Sequence, residues 1–280
     1  MGERMAGRYT LGAAVAVLLA LAAPALAQPE QRMAELLRLD EVLEIVREEG
    51  LEHGADIGAA VLGPSAGASW RAAVARVHDP EAMRGLMLEG FAEALPRDPE
   101  ALARIESVLA SDLGQRVVEL ELGARRAMLD PGIEDAARDA WAAQAAEGGP
   151  RVDTLRRFVE VGDLVERNVT GGLNATLAFY VGLAEGGGAL AEFGEADMLA
   201  DVQAQESGIR AEVEGWLHAY LALAFAPLPP EDLAAHVDFF DTADGRALNA
   251  ALFAGFNGMF ETLSRRLGQA AGTFAQGEDL

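Results

Sequence analysis

Asp98-Pro99-Glu100-Ala101-Leu102-Ala103 and, 131 residues later, Pro229-Pro230-Glu231-Asp232-Leu233-Ala234 open two stretches that run in step. At the same offset Ser111-Asp112-Leu113-Gly114-Gln115 meets Thr242-Ala243-Asp244-Gly245-Arg246. Val117 then falls on Leu248, Leu122 on Phe253 and Met128 on Met259. A fixed offset signals two copies of one structural unit, and missing it misreads the whole fold. Upstream, Val42-Leu43-Glu44-Ile45-Val46 resembles Val161-Gly162-Asp163-Leu164-Val165 at an offset of 119, which places an insertion in the second copy near Gly186-Gly187-Gly188. The unit itself is helical. Pro-Glu fits a first helical turn, where the missing N–H costs nothing and negative charge faces the helix dipole. Leu102, Ile105, Val108 and Leu109 repeat at helical spacing, as do Leu233, Val237 and Phe240. The spacing predicts that Leu102 and Leu233 both face the core. The Ser/Thr-x-x-Gly corners predict a hydroxyl cap, with a glycine that lets two helices cross closely.

The same signals extend along the chain. Asp79-Pro80, Asp98-Pro99 and Asp130-Pro131 are capped starts, and no alternating strand pattern is present. Helices are expected at about 31–49, 68–77, 80–95, 114–129, 132–147, 152–168, 172–185, 195–206 and 209–225. A long last helix carries Leu248, Leu252, Phe256, Met259, Leu263 and Leu267 on one face. Loops are expected at Gly63-Pro64-Ser65-Ala66-Gly67, Gly148-Gly149-Pro150 and Gly186-Gly187-Gly188, with a frayed tail after Gly272. The expected fold is an all-α, antiparallel multi-helix bundle built from two diverged helical repeats, 28–149 and 150–280.

Residues 1–27 read as a targeting segment. Arg4 and Arg8 are basic, Leu11 to Ala23 is uncharged and mostly apolar, and Ala25-Leu26-Ala27 is a small-x-small cleavage site. Export to the periplasm follows, with a mature chain that starts at Gln28 and is not an integral membrane protein. The chain has no cysteine, so neither a disulfide nor a lipid-modified cysteine is possible. Its 22 basic residues are all Arg against 45 acidic ones, a formal charge of −23. That argues against nucleic acid as a partner.

Leu228-Pro229-Pro230-Glu231-Asp232-Leu233 and Phe239-Phe240-Asp241-Thr242-Ala243-Asp244-Gly245-Arg246-Ala247-Leu248 resemble the DUF2059 family. The shared pattern is an acidic helix start, an aromatic pair, a Ser/Thr-x-x-Gly corner and an apolar helix. The resemblance is clearest at 210–270 and weaker at 80–130, where Val108-Leu109 replaces the aromatic pair. The proline and lysine often found around that corner are absent. The resemblance implies an all-helical, exported protein and carries over no catalytic residues.

No catalytic, cofactor-binding or metal-binding set emerges. His53, His78, His218 and His236 lie far apart in sequence, and His53/Asp56 and Asp232/His236 are His–carboxylate pairs at helical spacing, read as surface hydrogen bonding or weak ligand pairs. Gly63-Pro64-Ser65-Ala66-Gly67 matches a nucleophile elbow only by letters, and a Walker loop needs a lysine. Glu121 and Arg125, four apart, are expected to form a partly buried ion pair. Asn168, Asn174 and Tyr180 are binding candidates, read either as lining a cavity between helices or as helix capping with a core tyrosine. Two functions fit. One is a non-enzymatic envelope protein that binds a protein partner or a small apolar ligand. The other is an envelope hydrolase or metal-assisted enzyme, with acidic and His residues where the halves meet. N-terminal sequencing of the protein from an envelope fraction is expected to begin at Gln28, and an intact Met1 species in the cytosol would contradict export.

Overall fold

A computed structural model describes residues 28–63, 67–187 and 194–277. The stretch 1–27 expected to be a targeting segment, Pro64–Ala66, Gly188 and the last three residues of the tail lie outside the described residues. Thirteen α-helices follow in order: α1 (Pro29–Leu36), α2 (Leu39–Ile57), α3 (Ala68–Val77), α4 (Pro80–Ala94), α5 (Pro99–Leu109), α6 (Asp112–Ala127), α7 (Pro131–Glu147), α8 (Pro150–Val161), α9 (Leu164–Glu185), α10 (Glu195–Ala204), α11 (Glu206–Phe225), α12 (Pro230–Phe240) and α13 (Ala243–Ala275). A π-helical turn, Gly58–Leu62, extends α2, and no strand occurs among the described residues. The all-α bundle expected from the sequence is therefore the fold observed.

Asp79, Asp98 and Asp130 each cap the following helix by accepting from a backbone N–H in its first turn. The 31–49 and 152–168 segments differ from expectation, because each is broken into two helices. Arg38 (φ 51°) and Asp163 (φ 52°) sit at the breaks in the left-handed region, where non-glycine residues are uncommon. Arg38 is tied there by a two-pronged ion pair to Glu41, at 2.6 Å for both nitrogens. The tail also differs: Gly272 is buried inside α13, which continues to Ala275.

The two halves follow one plan. A proline-started helix (α1, α8) turns through a left-handed residue into a longer one (α2, α9). A second proline-started helix (α5, α12) turns through a hydroxyl-capped corner into the last (α6, α13). The corners agree in atomic detail. Ser111 Oγ donates to Val108 O at 2.6 Å and accepts from Gly114 N at 3.0 Å. Thr242 Oγ1 donates to Phe239 O at 2.6 Å and accepts from Gly245 N at 3.0 Å. A Cβ on Gly114 would run into Val108 O and one on Gly245 into Phe239 O, so each corner needs its glycine. Two expectations change. The upstream echo was misaligned: Val42–Val46 lies inside α2 while Val161–Val165 spans the α8–α9 break, and the true counterpart of Asp163 is Arg38. Leu102 packs against the core as expected but is only partly buried; Ala101, Ile105 and Leu109 are the buried residues of α5, while α12 buries Leu233 and Val237. The inward face of α5 is turned by one residue relative to that of α12.

The halves exchange helices: α13 packs in the core of the first half and α6 in that of the second. One core joins Met33, Leu43, Met87, Phe91 and Ile105 of the first half to Leu248, Ala251, Met259 and Leu263 of α13. The other joins Leu155, Phe158, Leu221, Phe225 and Val237 of the second half to Val117 and Ala124 of α6. Polar anchors run within each half. Gln115 on α6 donates to Leu36 O at the end of α1, and buried Asn249 on α13 donates to Gly162 O at the end of α8. The chain passes between halves through α7 and Gly148-Gly149, whose φ values of 71° and 117° suit glycine alone.

The tightest crossing, α9 with α13, is parallel rather than antiparallel. Gly171 lies against Asn257, Gly182 against Arg265 and Gly186 against Gln269, so both chains advance together. A Cβ on Gly182 or Gly268 would run into the Arg265 or Phe179 carbonyl oxygen. Gly258, on the same helix α13, meets nothing within 4 Å. Gly182→Ala is expected to destabilise by ~1–3 kcal/mol through overpacking. Gly258→Ala is expected to stabilise by ~0.5–1 kcal/mol, since alanine loses less backbone entropy in a helix. Urea denaturation of both variants checks the opposite signs.

Candidate ligand-binding seam

Between α2 and α13 the packing leaves two cavities in line. Along α2, Val42 lines the smaller and Val46 the larger; along α13, Phe256 lines the smaller and Phe260 the larger. The larger, about 450 Å³, is closed on its far side by Ala175, Thr176 and Phe179 of α9. Leu263 and Leu267 of α13 and Ile57 of α2 add apolar wall. Polar groups are few: Glu49, His53, His78, Thr176 and Ser264. Thr176 Oγ1 is already donated to Gly172 O at 2.8 Å.

His78 is buried, and its ring packs against Gly50, where a Cβ would strike Cδ2 and Nε2. Its Nδ1 stands 2.9 Å from Val74 O, which can only accept, so the proton belongs on Nδ1. Nε2 is then a hydrogen-bond acceptor at the cavity. Burial lowers the pKa of His78, with Arg47 and His53 adding to the effect, so the ring is neutral at pH 7. Arg47 holds the segment by donating to His78 O at 3.1 Å.

The smaller cavity, about 200 Å³, lies among the α1–α2 joint, α6, α11 and α13. Here the expected Glu121–Arg125 ion pair is not made. Arg125 reaches across to α2 and takes Glu49 with both nitrogens, at 2.9 and 2.7 Å, while its guanidinium stacks over Trp216 at 5.0 Å. The planar fork suits two-pronged pairing with a partner on another helix better than a turn of its own helix. Glu121 is left without an ion-pair or side-chain hydrogen-bond partner among the described residues. Glu121 is partly buried in a wall that is mostly apolar but also carries Arg125 and Tyr220, and burial pushes its pKa up to about 7. Tyr220 donates to the Glu121 backbone oxygen at 3.2 Å. Its phenol is raised first by burial and then by Glu121, with Arg125 opposing, and the Tyr220 and Glu121 side chains line the same cavity.

The other candidates do not converge. Asn168 is exposed and donates to Leu164 O at 2.7 Å within α9. Asn174 is exposed and donates to Glu261 at 3.1 Å. The Tyr180 hydroxyl bridges α9 to α10 through Asp201 at 2.9 Å and Gln205 at 3.1 Å. They are spaced six residues apart, and each step turns about 240° around the helix, so the three point different ways. His218 stacks on Trp141 at 4.9 Å. His53 and Asp56 are both exposed, and only His53 reaches the larger cavity. His236 makes no bond to Asp232; its ring sits among Phe158, Phe225 and Phe240 at 5.0–5.4 Å, and its Nε2 has no partner. Among the described residues no group of three His, Cys, Asp or Glu side chains is placed to hold a metal ion. None of the described helices is long and apolar enough to cross a membrane. Compared with family models, curated proteins and solved structures, the chain gives no match.

His236 carries a pH dependence with a definite sign. Burial lowers its pKa to about 4, so the unfolded chain takes up a proton near pH 6.5 while the folded chain does not. Stability is therefore lost as pH falls from about 6.5 toward 4. His236→Phe is expected to be more stable than wild type at pH 5 by roughly 2 kcal/mol, at about 1.4 kcal/mol per pH unit of unmatched protonation. The difference should be small at pH 8. Denaturant curves at both pH values would show the gap, and an equal gap at the two would contradict the assignment.

Proposed function

We propose that this chain is an exported, non-enzymatic binding protein of the cell envelope that takes a small apolar ligand in the larger cavity of the α2–α13 seam. The observation that carries the reading is the cavity itself. At about 450 Å³ it falls within the usual size of small-molecule sites, and its walls are mostly apolar with a few polar groups. The His78 Nε2 acceptor favours a ligand with one hydrogen-bond-donating end. Export rests on the basic, apolar and small-x-small segments of residues 1–27, and the DUF2059 resemblance at 228–248 fits the same compartment.

The enzyme reading has less support. A hydrolytic or metal-assisted centre at this junction would draw on Glu49 and the histidines. Glu49 is committed to Arg125, and His78 Nδ1 is turned toward a main-chain carbonyl.

N-phenyl-1-naphthylamine, an apolar fluorophore with one N–H donor, probes the site. Its fluorescence is expected to rise saturably with one molecule per chain. Ala175→Trp, which fills the cavity from the partly exposed α9 wall, should abolish the rise while leaving cooperative unfolding intact. An unchanged titration in that variant would remove the larger cavity as the binding site.

A further inference from the structure

We propose that the smaller cavity is a second, separate site, for a small organic cation such as a short primary alkylammonium. Glu121 receives the charge, and Leu122, Leu252 and Phe256 take the alkyl chain.

Three observations meet there. First, the space is built: about 200 Å³, roughly six waters' worth of volume, walled largely by aliphatic side chains and Phe256. Second, its one acid has no counter-charge. The nearest guanidinium, Arg125, is held by Glu49 of α2 with both nitrogens and by the Trp216 ring. An unpaired carboxylate among apolar groups is costly, and it either protonates or acquires a cation. Third, the fold does not require an acid at this position. Glu121 and Leu252 correspond at the 131-residue offset that relates α6 to α13, and both line this one cavity. The second copy fills the position with leucine, so the first copy carries a charge that packing alone does not need.

The walls choose the sign and class of the ligand. Arg125 also lines the cavity, but its charge is met by Glu49, so Glu121 is the wall group left to pair with a ligand, and a metal ion would find only that one carboxylate. An alkylammonium matches one acceptor and a mostly apolar surface, and the aromatic residues Tyr220 and Phe256 line the same cavity. The chain's formal charge of −23 raises the local concentration of cations.

The pH dependence follows from the groups around Glu121. Arg125 shares its helix and is paired with Glu49 of α2; Tyr220 of α11 is a phenol with a raised pKa. The α1–α2 joint and α13 present Leu37, Leu39, Val42, Leu252 and Phe256, none of which titrates. Between pH 5.5 and 8, Glu121 is therefore the group that changes charge at the cavity, while an alkylammonium stays protonated, as lysine does.

Isothermal titration of the full chain with hexylammonium, 1-hexanol and hexanoate, at two salt concentrations, tests the assignment. Hexylammonium is expected to bind one per chain, at least tenfold more tightly at pH 8 than at pH 5.5, and more tightly than either analogue. Glu121→Gln should weaken hexylammonium at least tenfold and flatten its pH dependence while leaving 1-hexanol unchanged. Leu252→Trp should block all three. Exposed Glu160→Gln is the control for diffuse attraction. The proposal is overturned if hexanol binds wild type as tightly as the amine, if Glu121→Gln binds hexylammonium as wild type does, if Glu160→Gln weakens it equally, or if nothing binds. Because N-phenyl-1-naphthylamine reports on the other cavity, loss of either proposal leaves the other standing.

Discussion

Helix α13 lies against two neighbours at backbone distance, and the rest of the molecule is arranged around that contact. Gly268 and Gly272 bring it onto α9, and Gly255 brings it onto α4, where a Cβ would stand 2.6 Å from Met87 O. Side chains ordinarily hold helix axes 8–10 Å apart. Glycine on both faces of the crossing removes that spacer, so Gly182 and Gly186 on α9 meet carbonyl oxygens of α13 directly. One 33-residue helix can then close the core of the first half while remaining fixed to the second.

This arrangement turns two similar units into one object. Each core is completed by a helix from the other half, so neither sequence half holds all of its own apolar partners. The exchange is unequal, since α6 has 16 residues and lacks the glycine faces of α13. Helix α9 is drawn onto α13 at its glycines, and α2 meets α13 without such a glycine contact. The two cavities lie along that seam, with the Glu49–Arg125 pair between them, and that pair spans α2 and α6.

Much of the architecture was legible in the sequence because its signals are local. A proline at a first turn, an aspartate before it and a hydroxyl three residues before a glycine act within one helical turn, and each appears where expected. Left-handed Arg38 and Asp163 escaped notice because nothing adjacent demands that geometry; the pairing of Arg38 with Glu41 is a consequence of it. The parallel α9–α13 crossing was encoded in Gly182-x-x-x-Gly186 and Gly268-x-x-x-Gly272, but those spacings gain meaning only when set against each other. The candidate site was less legible still. Glu121 and Arg125 share a helix, and their spacing suggested a pair. Glu49, 76 residues away, competes for the same guanidinium and wins it. Asn168, Asn174 and Tyr180 stood out as polar residues in an apolar stretch, yet their spacing already sends them to different faces.

The claim on which the account rests is that the two halves complete each other, with both cavities on the seam they create. Expressing residues 28–149 and 150–280 as separate chains tests this directly, with cooperative urea unfolding and sedimentation as the readouts. The account predicts that neither chain unfolds cooperatively alone, and that mixing them restores a one-to-one complex with a single transition. Two halves that each unfold cooperatively on their own and fail to associate would contradict it.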